Sequence, residues 1–476
     1  MNHQTLPQKD KKYLWHPFTQ QQEWERDSDI SIITRGKGTY LFDAKGRKYL
    51  DGVSSLWCNV HGHQVPAIDR AIQRQLKKIA HSTMLGASNE PAILLAEKLV
   101  KMAPRNLTRV FYSDSGSEAN EIAAKMAFQY WQQVESPRNP STSSGRSGRT
   151  QNKWARKNLF LTIREGYHGD TVGSVSLGGI DLFHGIFGPM LFKTLKVKSP
   201  FSYPSRKVSN EKWLKDCVRE AEGVFKKYGS RLAAVHMEPL IEGAGGMLTH
   251  PWGYLKAIRR LCDHYGVLLI LDEVATGFGR TGTMFACEQE GVSPDLLCLA
   301  KNLTGGYLPL AATLTTEKVY RAFLGKFESA RTFYHGHTFT GNQLGCAAAL
   351  ANLELMEKKG FLKGIQKKSQ LLQELVEPLL DFPNVGDIRL RGLMGGIELV
   401  KDKKTNEPYP YEWKVGYRVC AEAKKLGVLI RPLGNVIVLM PPLAIGKKDL
   451  IYLIQAIARG IERATLNPRP LREREG

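Results

Sequence analysis

Two apolar runs decide how this chain is read: Gly-Val-Leu-Leu-Ile-Leu-Asp-Glu-Val at 266–274 and Pro-Asp-Leu-Leu-Cys-Leu-Ala-Lys at 294–301. Each is short and dense in aliphatic side chains. One ends at Asp272 and the other at Lys301. A run of this kind without polar alternation predicts a strand covered on both faces, as in a parallel sheet. Leu-Phe-Leu-Thr-Ile at 159–163 and Leu-Ala-Ala-Val-His-Met-Glu-Pro-Leu at 232–240 read the same way. Helical spacing is found between or after these runs at 252–265 and 315–324. The alternation over 158–312 predicts an α/β domain with a largely parallel sheet.

Working outward, residues 39–50 predict two short strands around a polar turn, Asp43 to Arg47. Residues 91–102 and 117–133 carry helical spacing, the second with Ser117 as a suitable N-cap. A long helical stretch is expected over 343–380, then short strands at 387–400 and 428–440, and a last helix near 448–464. This pattern predicts a smaller α+β domain at 343–476, joined by the N-terminal segment 1–80, beside a large domain at 81–342. Residues 135–157 are rich in Ser, Gly and Pro and carry six cations, from Arg138 to Lys157, against Glu135. They read as a mobile surface loop within the large domain. The tail from Asn467 reads as disordered.

At 476 residues, with 42% hydrophobic and 24% charged residues, the composition is that of a soluble globular protein. The 67 Lys and Arg against 46 Asp and Glu give a net charge of +21, which attracts anions. No zinc-finger, RNA-recognition or basic-zipper pattern accompanies it, so no nucleic-acid partner and no metal are expected. Seven cysteines without a CxxC pair suit a reduced, cytoplasmic protein. No run reaches the ~20 apolar residues that span a bilayer, and no membrane association is expected.

The chemistry sits at the ends of the buried runs. A lysine that closes a buried strand loses solvation, which lowers its pKa and makes its amine a better nucleophile. Glu238 and Asp272 end such runs too, and buried carboxylates need partners. Strand ends of an open α/β sheet are where ligands bind. An amine and a carboxylate placed there suit pyridoxal phosphate: Lys301 as Schiff-base partner, Asp272 to keep the pyridine nitrogen protonated. Ser115-Gly116-Ser117 follows the strand-like run 110–114 and suits a phosphate at a helix start, although an ordinary cap accounts for it as well. Gly166-Tyr167-His168-Gly169-Asp170 puts an aromatic ring where it could stack on a flat cofactor or simply pack in the core. His168 suits a structural hydrogen bond. Gly305 and Gly306 leave room beside Lys301.

The segment LILDEVATGFGRTGTMFACEQEGVSPDLLCLAKNLTGGYLPLAA (269–312) resembles the signature of the class III, fold type I pyridoxal-phosphate aminotransferases. WHPFTQ (15–20), DGVSSLWCNVHGH (51–63), YSDSGSEA (112–119), GYHGDTVG (166–173), FYHGHTFTGNQLGCAAA (333–349) and IRPLGNVIVLMPP (430–442) are similar to the diaminopelargonate aminotransferases of biotin synthesis. The resemblance runs from about Trp15 to about residue 463. It implies transfer of an amino group to 7-keto-8-aminopelargonate, with S-adenosylmethionine as the usual donor and lysine in a subset. Another class III transaminase is the alternative.

Carried over by motif, Lys301, Asp272 and Tyr167 would be the catalytic residues. Lys301 would hold the cofactor, Asp272 would pair with its ring nitrogen and Tyr167 would stack on the ring. Ser115 and Gly116 would bind the phosphate. Thr338, with His337 beside it, would do so from the second subunit of a homodimer with shared active sites, and Glu238 would border the cofactor. Arg431 would grip the substrate carboxylate, and Phe18, Trp57, Tyr167, Lys301 and Gly336 would line the substrate site. The sequence departs from the family's common pattern at Phe18, Leu56 and His337, and the resemblance places the first two in the substrate pocket.

Overall fold

The computed structural model describes residues 5–135, 156–201, 209–466 and 468. Its centre is a seven-stranded sheet in the order Leu107–Ser113, Ala311–Thr316, Leu296–Leu299, Leu268–Asp272, Leu232–Met237, Leu159–Ile163, Leu195–Val197. Ala311–Thr316 runs antiparallel to both of its neighbours, and the other pairings are parallel. Every residue of the strands Leu232–Met237, Leu268–Asp272, Leu296–Leu299 and Ala311–Thr316 is buried, as expected for a sheet covered on both faces.

Register brings the ends of three strands together. Leu271 pairs with Met237 and Asp272 with Cys298, so Glu238 stands level with Asp272, and Lys301 follows three residues after Cys298. The helix Gly116–Glu135 lies against this sheet. Its small apolar residues Ala119, Ala123 and Ala127 are fully buried and let it approach closely, while Ile122 adds roughly 2 kcal/mol by leaving water. The helix Tyr254–Tyr265 buries Tyr254, Leu255, Ile258 and Cys262, a single stripe at helical spacing.

Several expectations shift. The helix expected at 315–324 begins at Glu317, because Thr315 and Thr316 still pair in the sheet and the Thr316 side chain caps the helix by accepting from the Val319 N–H. The stretch 343–380 is two helices, Gln343–Met356 and Phe361–Val376, broken where Gly360 takes φ +91°. Residues 387–400 fall within an antiparallel hairpin, Val385–Arg391 with Met394–Asp402, whose second strand pairs with Val436–Leu439. The N-terminal strand Lys48–Asp51 pairs in parallel with Val428–Leu429, tying the two ends of the chain into one sheet.

The expected basic loop lies largely outside the described residues, at 136–155, and so does nearly all of the tail. The end of that loop differs from expectation. Lys157 is 8% exposed, and its ammonium donates to the carbonyl oxygens of Gly229, Leu232, Tyr265 and Gly266 at 2.9–3.3 Å. Three of those carbonyls stand at the C-terminal ends of the helices Asn210–Tyr228 and Tyr254–Tyr265, where the helix dipole favours a cation. The Trp131 ring centre lies 4.6 Å from the same ammonium. Lys157→Met should therefore leave these carbonyls short of a donor and cost about 2 kcal/mol. Urea unfolding would measure this, and an unchanged midpoint would contradict the account.

Candidate active site

The ends of the three strands open into a cavity of about 440 Å³ bordered by Asp272, Glu238, Lys301, Tyr167, Trp57 and the Ser115–Ser117 turn. Lys301 begins the short turn Lys301–Thr304 with φ +39°, a left-handed backbone that costs roughly 1–2 kcal/mol for a residue with a Cβ. Its ammonium lies 5.6 Å from the centre of the Trp57 ring. Loss of water pushes its pKa below the ordinary lysine value, and the charges of Asp272 and Glu238 oppose that only in part. Trp57 sits on a strained bend of its own, where Ser54, Ser55 and Trp57 all have positive φ.

Asp272 is 4% exposed and supplied with donors from three directions. Its Oδ2 accepts from Asn120 Nδ2 and lies 2.8 Å from His168 Nδ1, also the Asn120 distance, and its Oδ1 accepts from the Val274 N–H at 3.0 Å. Asn120 in turn contacts His236, whose Nε2 is 2.9 Å from Asn120 Oδ1. Burial, and after it the neighbouring His168, push the His236 pKa well below the usual value. His168, His236 and Asp272 present atoms close enough to ligate a metal, but His168 Nδ1 and Asp272 Oδ2 are already engaged with each other. Neither Asn120 nor His236 stands out in the sequence, since one looks like a helix residue and the other interrupts an apolar strand.

Glu238 is treated differently by its surroundings. Among the described residues it accepts from the N–H groups of Tyr167 and Gly243, at 3.1 and 3.0 Å. Burial, then the Asp272 charge, push its pKa up to about 8. Glu238 thus holds a proton more tightly than an ordinary carboxyl group, while Asp272 is the one supplied with more donors. The Tyr167 hydroxyl donates to Asp170 at 2.7 Å, and its own ring lies nearly parallel to that of His184 at 6.0 Å. Burial and Asp170 raise its phenol pKa.

The turn at 115–117 is a capping box, and Ser115 rather than Ser117 takes the N-cap position. Ser115 Oγ accepts from the Glu118 N–H at 3.3 Å, while Glu118 accepts from the N–H groups of Ser115 and Asp114 at 2.9 and 2.8 Å. This leaves the N–H groups of Gly116 and Ser117 at the positive end of the helix dipole, which suits a phosphate. Gly116 has no room for a side chain, since a Cβ would come within 2.7 Å of Val274. Gly169, at φ +117°, brings the 166–170 loop against Ser117.

The remaining residues singled out by sequence lie elsewhere in the chain. Gly336 and Thr338 are exposed, and His337 faces Glu118 at 3.7 Å on the outer side of the helix start. Arg431 is exposed and does not border the cavity. Phe18 is 57% exposed and meets Phe183 edge-on at 5.5 Å. Phe183 contacts His184, the ring that stacks on Tyr167. A larger cavity of about 600 Å³ opens further along the Gly116–Glu135 helix, but Glu121 and Lys125 stand there in place of a buried lysine–carboxylate set.

A buried lysine with a lowered pKa, a buried carboxylate supplied with donors, an aromatic ring and a helix start fit pyridoxal phosphate, and they define an enzyme of that cofactor class. A family model described as Aminotransferase class-III matches residues 22–461. The adenosylmethionine-8-amino-7-oxononanoate aminotransferase of Aquifex aeolicus is 50% identical over 460 residues, covering 96% of this chain and 97% of that protein. The crystal structure of the enzyme of that name from Methanocaldococcus jannaschii matches with a TM-score of 0.88 at 47% identity, covering 97% of this chain and 99% of that one. An amine transaminase from an uncultivated Pseudomonas species, solved in its PLP-bound form, matches at 0.86 with 35% identity over 95% of this chain and 98% of that one. The chain belongs to the class-III aminotransferase family. It is a pyridoxal-phosphate-dependent transaminase.

The raised pKa of Glu238 has a measurable consequence in the cofactor-free protein. Its folded value of about 8 exceeds the ordinary 4.5, so the folded state holds the proton more tightly. Its stabilising contribution is full below the ordinary value and is lost as pH rises through about 8. Denaturant midpoints of the wild type should fall between about pH 5 and about pH 8, and Glu238→Gln should flatten that slope. Equal slopes in the two proteins would refute the assignment.

Proposed function

We propose that this transaminase moves an amino group from S-adenosylmethionine to 8-amino-7-oxononanoate, giving 7,8-diaminopelargonate in biotin synthesis. The observation that carries the reading is near-half identity along almost the full length of enzymes that bear this name, combined with a site that has the parts such chemistry needs. When bound, pyridoxal phosphate supplies an aldehyde that condenses with amines and a protonated ring that draws electrons away from the reacting carbon.

The chain's own residues do the rest. Lys301 holds the cofactor, and its freed amine then takes the proton from the donor's α-carbon and delivers it back during transfer. Burial lowers the pKa of Lys301, which favours the neutral amine that such a base needs. Asp272 keeps the ring-nitrogen proton, Tyr167 stacks on the ring and Glu238 borders it. Ser115 and Gly116 bind the phosphate. Trp57, Phe18 and Gly336 line the substrate side, and the planar guanidinium of Arg431 binds the acceptor's carboxylate in a two-point grip. Two unlike substrates use one pocket in turn, so ping-pong kinetics follow.

The active unit of this proposal is a homodimer. Thr338 is exposed and does not border its own chain's Lys301 cavity, so its phosphate contact is made to the site of a second copy, with His337 beside it. Exposed apolar residues close to Thr338 in sequence, Phe327, Tyr334 and Phe339, and others at Ile186 and Met190, supply a surface for that copy to cover. No helix among the described residues is long and apolar enough to cross a membrane, and a cytoplasmic enzyme is part of the proposal. The residues 1–80 and 343–476 together form its smaller domain, and 81–342 its large one.

Incubating the enzyme with 8-amino-7-oxononanoate and S-adenosylmethionine should yield diaminopelargonate. A parallel incubation with lysine should not. Product from lysine alone would overturn the donor, and product from neither would overturn the reaction. Lys301→Ala should lose all measurable turnover. Light scattering should give a mass near twice 53.3 kDa, and a monomer would contradict the shared site.

A further inference from the structure

We propose that Asn120 and His236 are positioning residues that fix the rotation of the Asp272 carboxylate so that one lone pair stays free for the cofactor's ring nitrogen. This rests on the reading that Asp272 holds the ring-nitrogen proton. Asn120 stands one turn into the Gly116–Glu135 helix and is 1% exposed, and His236 lies within the strand Leu232–Met237 and is fully buried.

The hydrogen bonds leave Asn120 one orientation. Its amide nitrogen faces three oxygens: Asp272 Oδ2 at 2.8 Å, the His168 carbonyl at 3.0 Å and the Gly116 carbonyl at 3.1 Å. Turning the amide over would press its oxygen against all three, one of them a carboxylate. Asn120 Oδ1 therefore points to His236, and His236 must donate to it from Nε2 at 2.9 Å. A histidine in the all-buried run Leu232–Met237 is costly where an aliphatic side chain would pack freely. Among the described residues its ring makes this one hydrogen bond, from Nε2. The bond to Asn120 is thus what the imidazole contributes in that strand.

A carboxylate offers about four acceptor positions. On Asp272, Asn120 and His168 take both positions of Oδ2, and the Val274 N–H takes one of Oδ1. One position on Oδ1 remains. Without Asn120, Oδ2 loses a donor and the carboxylate can rotate, so the remaining lone pair is no longer held in place. Without His236, the Asn120 amide keeps its three acceptors but loses the donor that locks it. The same Asn120 nitrogen ties the 166–170 loop to the helix start, so the phosphate end and the ring-nitrogen end of the site share one side chain.

The test reads the ring nitrogen directly. Apoprotein is loaded with pyridoxal phosphate labelled with nitrogen-15 in the ring, and the nitrogen chemical shift reports whether that atom carries a proton. Wild type should be protonated at mildly alkaline pH, and Asp272→Asn should not. Asn120→Ala should lower the proton affinity of the ring nitrogen by about tenfold to hundredfold, and His236→Leu by a smaller factor in the same direction. For both, kcat should fall while KM for the amino donor changes little. Asn120→Ser serves if the alanine variant fails to fold. If Asp272→Asn abolishes protonation but Asn120→Ala and Asn120→Ser leave it at the wild-type value, the positioning role is overturned. A His236→Leu signal identical to wild type removes His236 from it. If Asp272→Asn leaves the ring nitrogen protonated, the underlying reading of Asp272 fails instead.

Discussion

A carboxylate closed off at the end of a buried strand has to be given donors by the protein, or it takes up a proton and loses its charge. Asp272 and Glu238 stand level on neighbouring strands and meet this constraint differently. Asp272 has a histidine, an amide and a backbone N–H, whereas Glu238 has two backbone N–H groups. Two like charges so close are unfavourable, and burial together with the Asp272 charge pushes the pKa of the less well supplied Glu238 up. The Asp272 carboxylate, with Glu238 after it, partly restores the basicity that burial takes from Lys301. The organisation around the cavity follows from supplying the Asp272 carboxylate.

The supply ties distant pieces of chain together. Asn120 comes from the helix after the strand Leu107–Ser113, His168 from the loop after Leu159–Ile163, His236 and Glu238 from Leu232–Met237 and its end, and Lys301 from just beyond Leu296–Leu299. A parallel sheet brings these ends to one edge without further design, and the carboxyl end of an open α/β sheet is where ligands bind as a rule. The same helix offers its unsatisfied N–H groups beside the cavity, and the capping box satisfies the others without filling that position.

The residues that border this cavity are legible in the sequence where their signals are local. An apolar run ending in one charged residue, a Ser-Gly-Ser turn before a helix and a tyrosine between glycines each occupy a few adjacent positions. Asn120 and His236 gave no such signal. Their partners are 152 and 116 residues away in sequence, and alone they look like an ordinary helix residue and a flaw in a strand. The N-cap was misread by one half-turn, because Ser115 and Ser117 are equally good caps until the reciprocal Glu118 bond is seen. Lys157 falls with its basic neighbours in the expected surface loop, since composition cannot show that two helix ends converge on its ammonium. Of the substrate-side positions, Trp57 borders the cavity, while Phe18, Gly336 and Arg431 do not border it within one chain. Their part in the proposal depends on the bound substrate and, for the 336–338 loop, on a second copy.

The central claim is that the amine at the end of the Leu296–Leu299 strand is the one that holds the cofactor. Borohydride reduction of the cofactor-loaded enzyme, followed by digestion and mass spectrometry, tests it directly. The account predicts a single pyridoxyl adduct on the peptide that contains Lys301. An adduct on another lysine, or none on a protein that transaminates, would contradict it.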